Sequence, residues 1–180
     1  MTLALPALMA AGCASASSTP PTTSSVDGTS GGTCSASQFV SRVTSGGSEA
    51  NQPWLIIEVT NHGPWCSIEG YPRIIAATGH SLQGPNQPLS ISVSDGPDYE
   101  HPDPGPHSLS LPRGASASFA VGTNTASATN YILTSMTVAL PGSRGSRRVP
   151  VHTGASAFAG KPVRMEVTAL VKGSKGPPAF

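Results

Sequence analysis

The sequence predicts an all-β domain, a sandwich or barrel of about eight short strands, and three observations carry this prediction. Glycine and proline are abundant, with 20 and 18 among 180 residues, and both interrupt helices. Short apolar-alternating runs are separated by turn signals of Gly, Pro, Asn and Asp at intervals of roughly ten residues. No window of the chain has a helical period over three turns.

Eight runs are predicted as strands because they alternate in polarity or are rich in β-branched residues: 54–61, 71–78, 89–94, 107–111, 115–121, 131–140, 148–152 and 163–171. The last run is the clearest. Its odd positions are Val163, Met165, Val167, Ala169 and Val171, which we expect on the core side, with Arg164, Glu166 and Thr168 on the wet side.

Two further patterns concern single faces. We expect Ile132, Met136, Val138 and Leu140 to line one side of their strand. The run 37–43 fits either a short helix or a first strand, and the sequence does not choose between them.

Charge excludes one class of partner. Charged residues make up 11% of the chain, and the formal net charge is +1. A nucleic-acid-binding protein usually carries a basic field, so no nucleic-acid partner is predicted. The absence of long Ala, Glu, Lys and Leu runs also excludes a coiled coil or a helical bundle.

The first twelve residues, MTLALPALMAAG, are uncharged and mostly apolar. They are too few to span a bilayer, which needs roughly 20 residues, but they suit the apolar part of a signal peptide. With small residues before Cys13 and Leu8 upstream, the stretch resembles the lipobox of bacterial lipoproteins. That resemblance implies that residues 1–12 are removed and that Cys13 carries a diacylglycerol. The protein would then be anchored to the cell membrane on its extracytoplasmic face.

Two departures from the lipobox leave an alternative open. Ala10 stands where the family usually has Leu, and no Lys or Arg precedes the apolar run. A chain that starts inside a longer signal peptide would lack such a positive region. The alternative is a plain secretory signal, with Cys13 incidental and the protein secreted.

Residues 13–33 are predicted as a linker between the anchor and the domain. After Cys13 the linker is almost wholly Ser, Thr, Pro and Gly, which cannot bury enough apolar surface to offset the entropy of ordering. We therefore expect a disordered tether over 13–33, a β-sandwich domain over 34–172 and a flexible tail over 173–180.

The three cysteines divide between two roles. With Cys13 assigned to the lipid, Cys34 and Cys66 most simply pair in an exported protein. The alternative is two buried free thiols.

Residues 61–72, NHGPWCSIEGYP, carry a resemblance to an uncharacterised domain family common in secreted proteins and lipoproteins of actinobacteria. Leu111 and Gly114 ahead of an Ala-rich strand resemble it further, as does a later strand that closes in Leu-Pro-Gly at 140–142. The resemblance implies an antiparallel immunoglobulin-like β-sandwich without an assigned activity. The family often has a second disulfide, near Tyr131 and Phe158, for which this chain has no cysteines. The motif residues, predicted to be structural, are Asn61, Gly63, Cys66, Gly70, Tyr71 and Pro72.

The loop 95–106 and its successor His107 hold the one polar cluster that suggests chemistry. Asp95, Asp98 and Glu100 accompany His101, Asp103 and His107, and the last three have the donor types that suit Zn²⁺. They are weak metal candidates, because prolines separate them and a solvated loop explains the same charges. No nucleophile motif or His-Glu-x-x-His is present.

Three arginines lie in the turn 143–148, SRGSRR. This turn suits either contact with anionic lipid headgroups or wall polymers, or an ordinary solubilising hairpin tip.

The function predicted from these observations is a non-catalytic binding or structural module, without a cofactor, in a cell-envelope lipoprotein. Its partners would be the membrane, through the lipid, and other envelope proteins or wall polymers. The alternatives are a small metal-dependent hydrolase or metal-handling protein that uses the 95–107 loop, and an accessory subunit of a larger envelope complex.

Overall fold

The computed structural model describes residues 32–81, 83–123, 129–158 and 160–179. The predictions of a signal peptide over 1–12, of lipidation at Cys13 and of a tether over 13–33 concern residues that lie outside the described ones, apart from Gly32 and Thr33. Within these ranges the chain is nearly all β, with one 3₁₀ turn, Ala36–Gln38, and no α-helix. The predicted all-β fold is therefore confirmed. The strands are β1 (Gly32–Thr33), β2 (Phe39–Glu49), β3 (Gln52–Asn61), β4 (Cys66–Glu69), β5 (Arg73–Ser81), β6 (Gln87–Leu89), β7 (Ile91–Asp95), β8 (Ser108–Leu111), β9 (Ser116–Thr123), β10 (Thr129–Ala139), β11 (Arg147–Ala157), β12 (Val163–Val167) and β13 (Val171–Lys172).

Two sheets share one apolar core. The larger has the order β2-β3-β9-β12-β7, with β13 added beside β9, and the smaller has the order β11-β10-β5-β6. Strand periodicity places Leu55, Ile57 and Phe119 of the larger sheet in the same core as Leu133 and Met136 of the smaller. Fully burying a side chain of this size contributes about 1.5–3 kcal/mol, so the shared core holds the two sheets together.

A third, small sheet of order β1-β4-β8 contributes to the same core through Ile68, Leu109 and Leu111. The strand β1 runs parallel to β4, with Gly32 opposite Cys66. The chain therefore joins the domain beside the motif that the sequence analysis singled out.

All eight predicted strands are present, although 89–94 and 163–171 are each divided into two. The structure adds β1 and β4, which were not predicted as strands, and β2, which begins in a run left open between a helix and a strand. The ambiguous run 37–43 contains both predicted alternatives, because the 3₁₀ turn ends at Gln38 and β2 begins at Phe39. Most pairs are antiparallel as predicted, but β1 pairs with β4 and β12 with β7 in parallel.

One predicted face is wrong in β10. Leu133, Met136 and Val138 are buried, whereas Ile132, predicted to face the core, is only half-buried. The register of β10 shifts between Leu133 and Ser135 against both neighbouring strands. A bulge of this kind adds one residue to a strand and so moves the following side chains to the other face.

A second correction concerns Thr168, predicted on the wet side but fully buried. The strand breaks between Val167 and Val171, although β12 and β13 both pair with β9. The Thr168 N–H donates to the Ala120 carbonyl, and the Ala120 N–H donates to Thr168 Oγ1 at 2.9 Å. The hydroxyl thus replaces a backbone acceptor in the ladder, which explains why a polar residue is buried there.

Residues 173–179, predicted as part of a flexible tail, lie against the outer face of the larger sheet. Gly176 has a φ of +74° and packs on Ile56, and its N–H donates to Ser118 Oγ at 2.8 Å. The Thr44 hydroxyl donates to the Ser174 carbonyl at 2.9 Å. This segment covers apolar surface that would otherwise face solvent, so it belongs to the domain.

In the part of the chain that the structure describes, we find no helix with the length and apolarity needed to cross a membrane.

Candidate functional site

The acidic loop 95–107 folds back over the outer face of the larger sheet. Trp54, Gly122 and Glu166 are cross-strand neighbours there, because Gly122 of β9 is opposite both of the others. A Cβ on Gly122 would stand 2.5 Å from the Asp98 Cβ. The missing side chain therefore provides the room in which Asp98 lies.

Asp98 and His101 form a buried pair within this loop. Asp98 Oδ1 accepts the N–H groups of Glu100 and His101 at 2.8 and 2.6 Å, and His101 Nδ1 lies 3.0 Å from the same oxygen. The His101 ring contacts Trp54 edge-on, with ring centroids 4.7 Å apart. These contacts fix the loop to the sheet and leave the Asp98 carboxylate buried and fully engaged.

Glu166 lies under the same loop and is affected by it. Burial, together with the negative charge of Asp98, raises the pKa of Glu166 above its ordinary value, although Arg164 opposes the shift. The carboxylates of Glu166 and Asp98 repel each other, so the negative charge of Glu166 is unfavourable at neutral pH.

Asp103 joins three segments of the chain. Its Oδ2 accepts the Tyr71 hydroxyl at 2.5 Å, and its Oδ1 accepts the Ala169 N–H at 2.9 Å in the gap between β12 and β13. The hydrogen bond to Asp103 and burial raise the pKa of Tyr71 to about 12. Tyr71 therefore remains a neutral hydrogen-bond donor across the physiological pH range.

The three weak metal candidates have separate partners. His101 pairs with Asp98, Asp103 binds Tyr71 and Ala169, and the exposed His107 lies 3.0 Å from the Gly105 carbonyl through Nδ1. Within the described ranges, no three His, Cys, Asp or Glu side chains are grouped so that they could hold a metal ion. The arrangement positions a loop, and no serine, threonine or cysteine among the described residues is hydrogen-bonded to the Asp98 or His101 side chain.

Within the motif at 61–72, the fully buried Asn61 connects separate segments of the domain by hydrogen bonds. Its Nδ2 donates to the carbonyls of Leu111 and Pro64 at 2.7 and 2.9 Å, and its Oδ1 accepts the Gly63 N–H at 2.8 Å. A single side chain thus fixes the loop after β3 and attaches it to β8.

Gln38 was not predicted as a site residue, but it completes this arrangement. Its Nε2 donates to Asn61 Oδ1 at 3.2 Å and to the Pro64 carbonyl at 3.3 Å, and its Cβ occupies the space above Gly63. The 3₁₀ turn is capped by Ser35, whose N–H donates to Gln38 Oε1 at 3.2 Å. The Ser-x-x-Gln spacing of a capping box was the signal in the sequence that could have placed this turn.

The remaining motif residues serve the backbone. Gly70 has a φ of +114°, a conformation that favours glycine, and it approaches Pro141. Pro72 is buried ahead of β5. Cys66 is bonded to Cys34 with the Cα atoms 5.2 Å apart, so the predicted disulfide is confirmed.

The arginine turn lies against the start of the domain. Arg147 donates through Nε to the Ala36 carbonyl at 2.8 Å and through a terminal nitrogen to the Ser37 carbonyl at 2.7 Å. Arg148 donates to Ser135 Oγ at 2.9 Å. The backbone carbonyl of Arg144 accepts the Ala36 N–H at 3.0 Å, and Arg144 itself is exposed.

One ion pair was not foreseen from the sequence. Arg42 Nε lies 2.6 Å from Glu58 Oε2, with the Glu58 side chain buried and that of Arg42 exposed. Burial opposes ionisation of Glu58, but hydrogen bonds with Arg42, Ser116 and Thr60 outweigh burial and lower its pKa. The polar cross-strand partners on this outer face are what stabilise the charge.

An open groove of about 550 Å³ lies between β5 and β7, lined by Arg73, Ile74, Ile75, Ile91, Val93 and Asp95. Its shape is that of a cleft between the two sheets, and it contains no cluster of donors for chemistry.

Comparison with known protein families, with curated proteins and with solved structures finds no match to this chain. The resemblance of residues 61–72 to an actinobacterial domain family therefore stays a prediction.

Proposed function

We propose that this protein is a cell-envelope lipoprotein, anchored through Cys13, whose folded domain is a non-catalytic binding or structural module. The finer description of the domain as an immunoglobulin-like sandwich is part of the proposal. Two packed β-sheets with one core support it.

The observation that carries the non-catalytic assignment is the engagement of the loop 95–107. Its chemistry-bearing side chains, Asp98, His101 and Asp103, each hold the loop to the sheet or to the strand break. A general base must be able to reach a substrate, and a nucleophile must lie beside its base. The buried Asp98 and His101 contact each other and the loop backbone, so this geometry supports a structural use of the cluster.

The disulfide supports the assignment to the envelope. Disulfides persist in oxidising compartments outside the cytoplasm. The Cys34–Cys66 bond joins the residue that follows β1 to the first residue of β4, within the motif 61–72. Cys13 stands apart from this pair, which leaves its thiol for the lipid proposed from the lipobox resemblance.

Fatty-acid labelling in a bacterial host tests the anchor. The full chain is expressed with an alkyne-bearing palmitate analogue, both as it stands and with two lysines added after Met1 to supply a positive region. We expect label on the protein and partition into the detergent phase, with both lost in Cys13→Ser. Ser15→Ala, which changes a neighbouring residue of the proposed tether, serves as the matched control.

Absence of label from both forms of the chain would overturn the proposal, and so would equal label in Cys13→Ser. For the domain, Asp98→Asn and His101→Gln should alter stability. Metal-dependent hydrolysis by the purified protein, abolished by these variants, would contradict the non-catalytic assignment.

A further inference from the structure

The start of the domain brings two distant turns together. On one side of the 3₁₀ turn Ala36–Gln38, the Ala36 carbonyl accepts a hydrogen bond from the Arg147 guanidinium. On the other side, the Gln38 amide donates to the carbonyl of Pro64, which precedes Trp65. The Gly114 N–H donates to the Asn61 carbonyl, which places the turn containing Arg113 beside the same loop. Trp65, Arg113, Arg144 and Arg147 thus lie around the point where the chain joins the domain, and we call them the tether-proximal face.

This face is basic. Arg113, Arg144 and Arg147 are exposed. Among the described residues, the ion pairs found are Arg42–Glu58 and Asp98–His101, so none of the three arginines has a carboxylate within 4.0 Å. Unneutralised arginines favour an anionic partner.

Trp65 adds an amphipathic side chain to the same face. It is 41% exposed, and its Nε1 donates to Ser110 Oγ at 2.6 Å. The bond holds the indole in place while part of the ring remains in solvent. Tryptophan with one apolar and one polar side is enriched at the interface between bilayer and water.

We propose that the tether-proximal face docks on the anionic headgroups of the bilayer that holds the Cys13 lipid. The inference rests on the proposed anchor. Eighteen residues separate Cys13 from Gly32, and a flexible chain of that length has a root-mean-square span of about 21–25 Å. The anchor therefore keeps this face at high effective concentration near the lipid surface, where weak contacts suffice.

Vesicle binding of the full Cys13→Ser chain tests docking independently of lipidation. We expect sedimentation with vesicles of phosphatidylcholine that contain phosphatidylglycerol, and much less with phosphatidylcholine alone. Each cation beside an anionic bilayer contributes about fivefold in affinity, so Arg113→Glu with Arg144→Glu should weaken binding by at least about 20-fold. Both substitutions leave the Arg147 bonds and the backbone carbonyl of residue 144 in place.

Lys161→Glu with Arg164→Glu is the matched control, because it makes the same change in net charge elsewhere. Arg164 lies next to Met165, opposite Thr123, whereas Arg113 precedes the other end of β9 at Ser116. We expect this variant to bind anionic vesicles as the parent chain does, apart from a small long-range effect that raised salt removes.

Trp65 supplies a spectroscopic signature. With two tryptophans in the chain, we expect a blue shift of emission on anionic vesicles that is lost in Trp65→Phe, while Trp54 contributes a constant background.

Equal binding to neutral and anionic vesicles, or unchanged binding of the Arg113→Glu, Arg144→Glu variant, would overturn the proposal. Binding to a soluble anionic polymer without binding to vesicles would also overturn it, in favour of a wall polymer. Label at Cys13 without vesicle binding would refute docking alone.

Discussion

At the scale of single residues, Asp103 shows how a carboxylate in a proline-rich loop serves the fold. It accepts from Tyr71 in the motif and from Ala169 in the strand break, segments that are 98 positions apart in the chain. The residue types were visible in the sequence as a cluster of acids and histidines. Their partners were not, because nothing in a loop sequence indicates which distant backbone N–H it will cap.

Replacing Asp103 by Ala should lower the free energy of unfolding by about 1–3 kcal/mol, because two partly buried donors lose their acceptor. The pKa of Tyr71 should fall from about 12 toward its ordinary value of about 10. Urea unfolding and ultraviolet titration of the phenols measure the two effects. Tyr71→Phe identifies the tyrosine that titrates, and a Tyr71 titration unchanged in Asp103→Ala would contradict the assignment.

Glu58 and Glu166 should respond to pH in opposite senses. The pKa of Glu58 is lower in the folded state than in the unfolded state, where it is near 4.5. Ionisation of Glu58 therefore stabilises the protein fully at pH values above 4.5. This stabilisation is lost as the pH falls through the folded-state pKa. The folded-state pKa of Glu166 is raised, so its ionisation opposes folding once pH rises above 4.5.

We therefore expect Glu58→Gln to destabilise the protein at pH 7 and Glu166→Gln to stabilise it. Both differences from the parent should shrink as pH is lowered past the respective pKa values. Urea unfolding between pH 3 and pH 8 measures them. A Glu166→Gln variant that is less stable than the parent at pH 7 would show that its carboxylate makes a favourable contact instead.

At the scale of elements, the loop 95–107 depends on a position with no side chain. Gly122→Ala would place a Cβ 2.5 Å from that of Asp98, so the loop must move or the strand must shift. We expect a loss of about 1–3 kcal/mol, the usual effect of overpacking, together with a change in Trp54 emission as His101 withdraws. Gly32→Ala is the control, since a Cβ there meets no atom within 4 Å. Equal stability and emission in the two variants would disprove the dependence.

The elements also show what the sequence could predict. Alternating apolar residues located all eight predicted strands, because burial of one face imposes a period of two. The same rule failed at Ile132 and Thr168, since a bulge or a strand break changes the facing side without leaving a composition signal. The strand β4 was missed for another reason. Its four residues, Cys66–Glu69, lie between a turn and Gly70, so in the sequence they resembled part of the motif rather than a strand.

At the scale of the whole molecule, the core is assembled from parts far apart in sequence. The strand β9 pairs with β3, β12 and β13, so the centre of the larger sheet forms only after long stretches of chain have been brought together. Such non-local pairing makes folding slow, because long loops must close before the contacts form. A covalent link that reduces the conformational entropy of the unfolded chain lowers this cost. Cys34–Cys66 is that link, and it lies where β1, the 3₁₀ turn and the motif loop meet.

Removal of the disulfide should therefore destabilise the whole domain rather than one loop. For a sequence separation of 32, loss of the chain-entropy constraint amounts to about 3–4 kcal/mol. We expect Cys34→Ser, Cys66→Ser and the double variant to be destabilised by similar amounts, because either single substitution already opens the loop. Urea unfolding followed by both tryptophan emission and far-ultraviolet circular dichroism measures this. If the transition of the double variant coincided with that of the oxidised parent, the disulfide would contribute nothing to stability. If the two probes separated, the end of the domain near Cys34 would unfold independently of the sandwich.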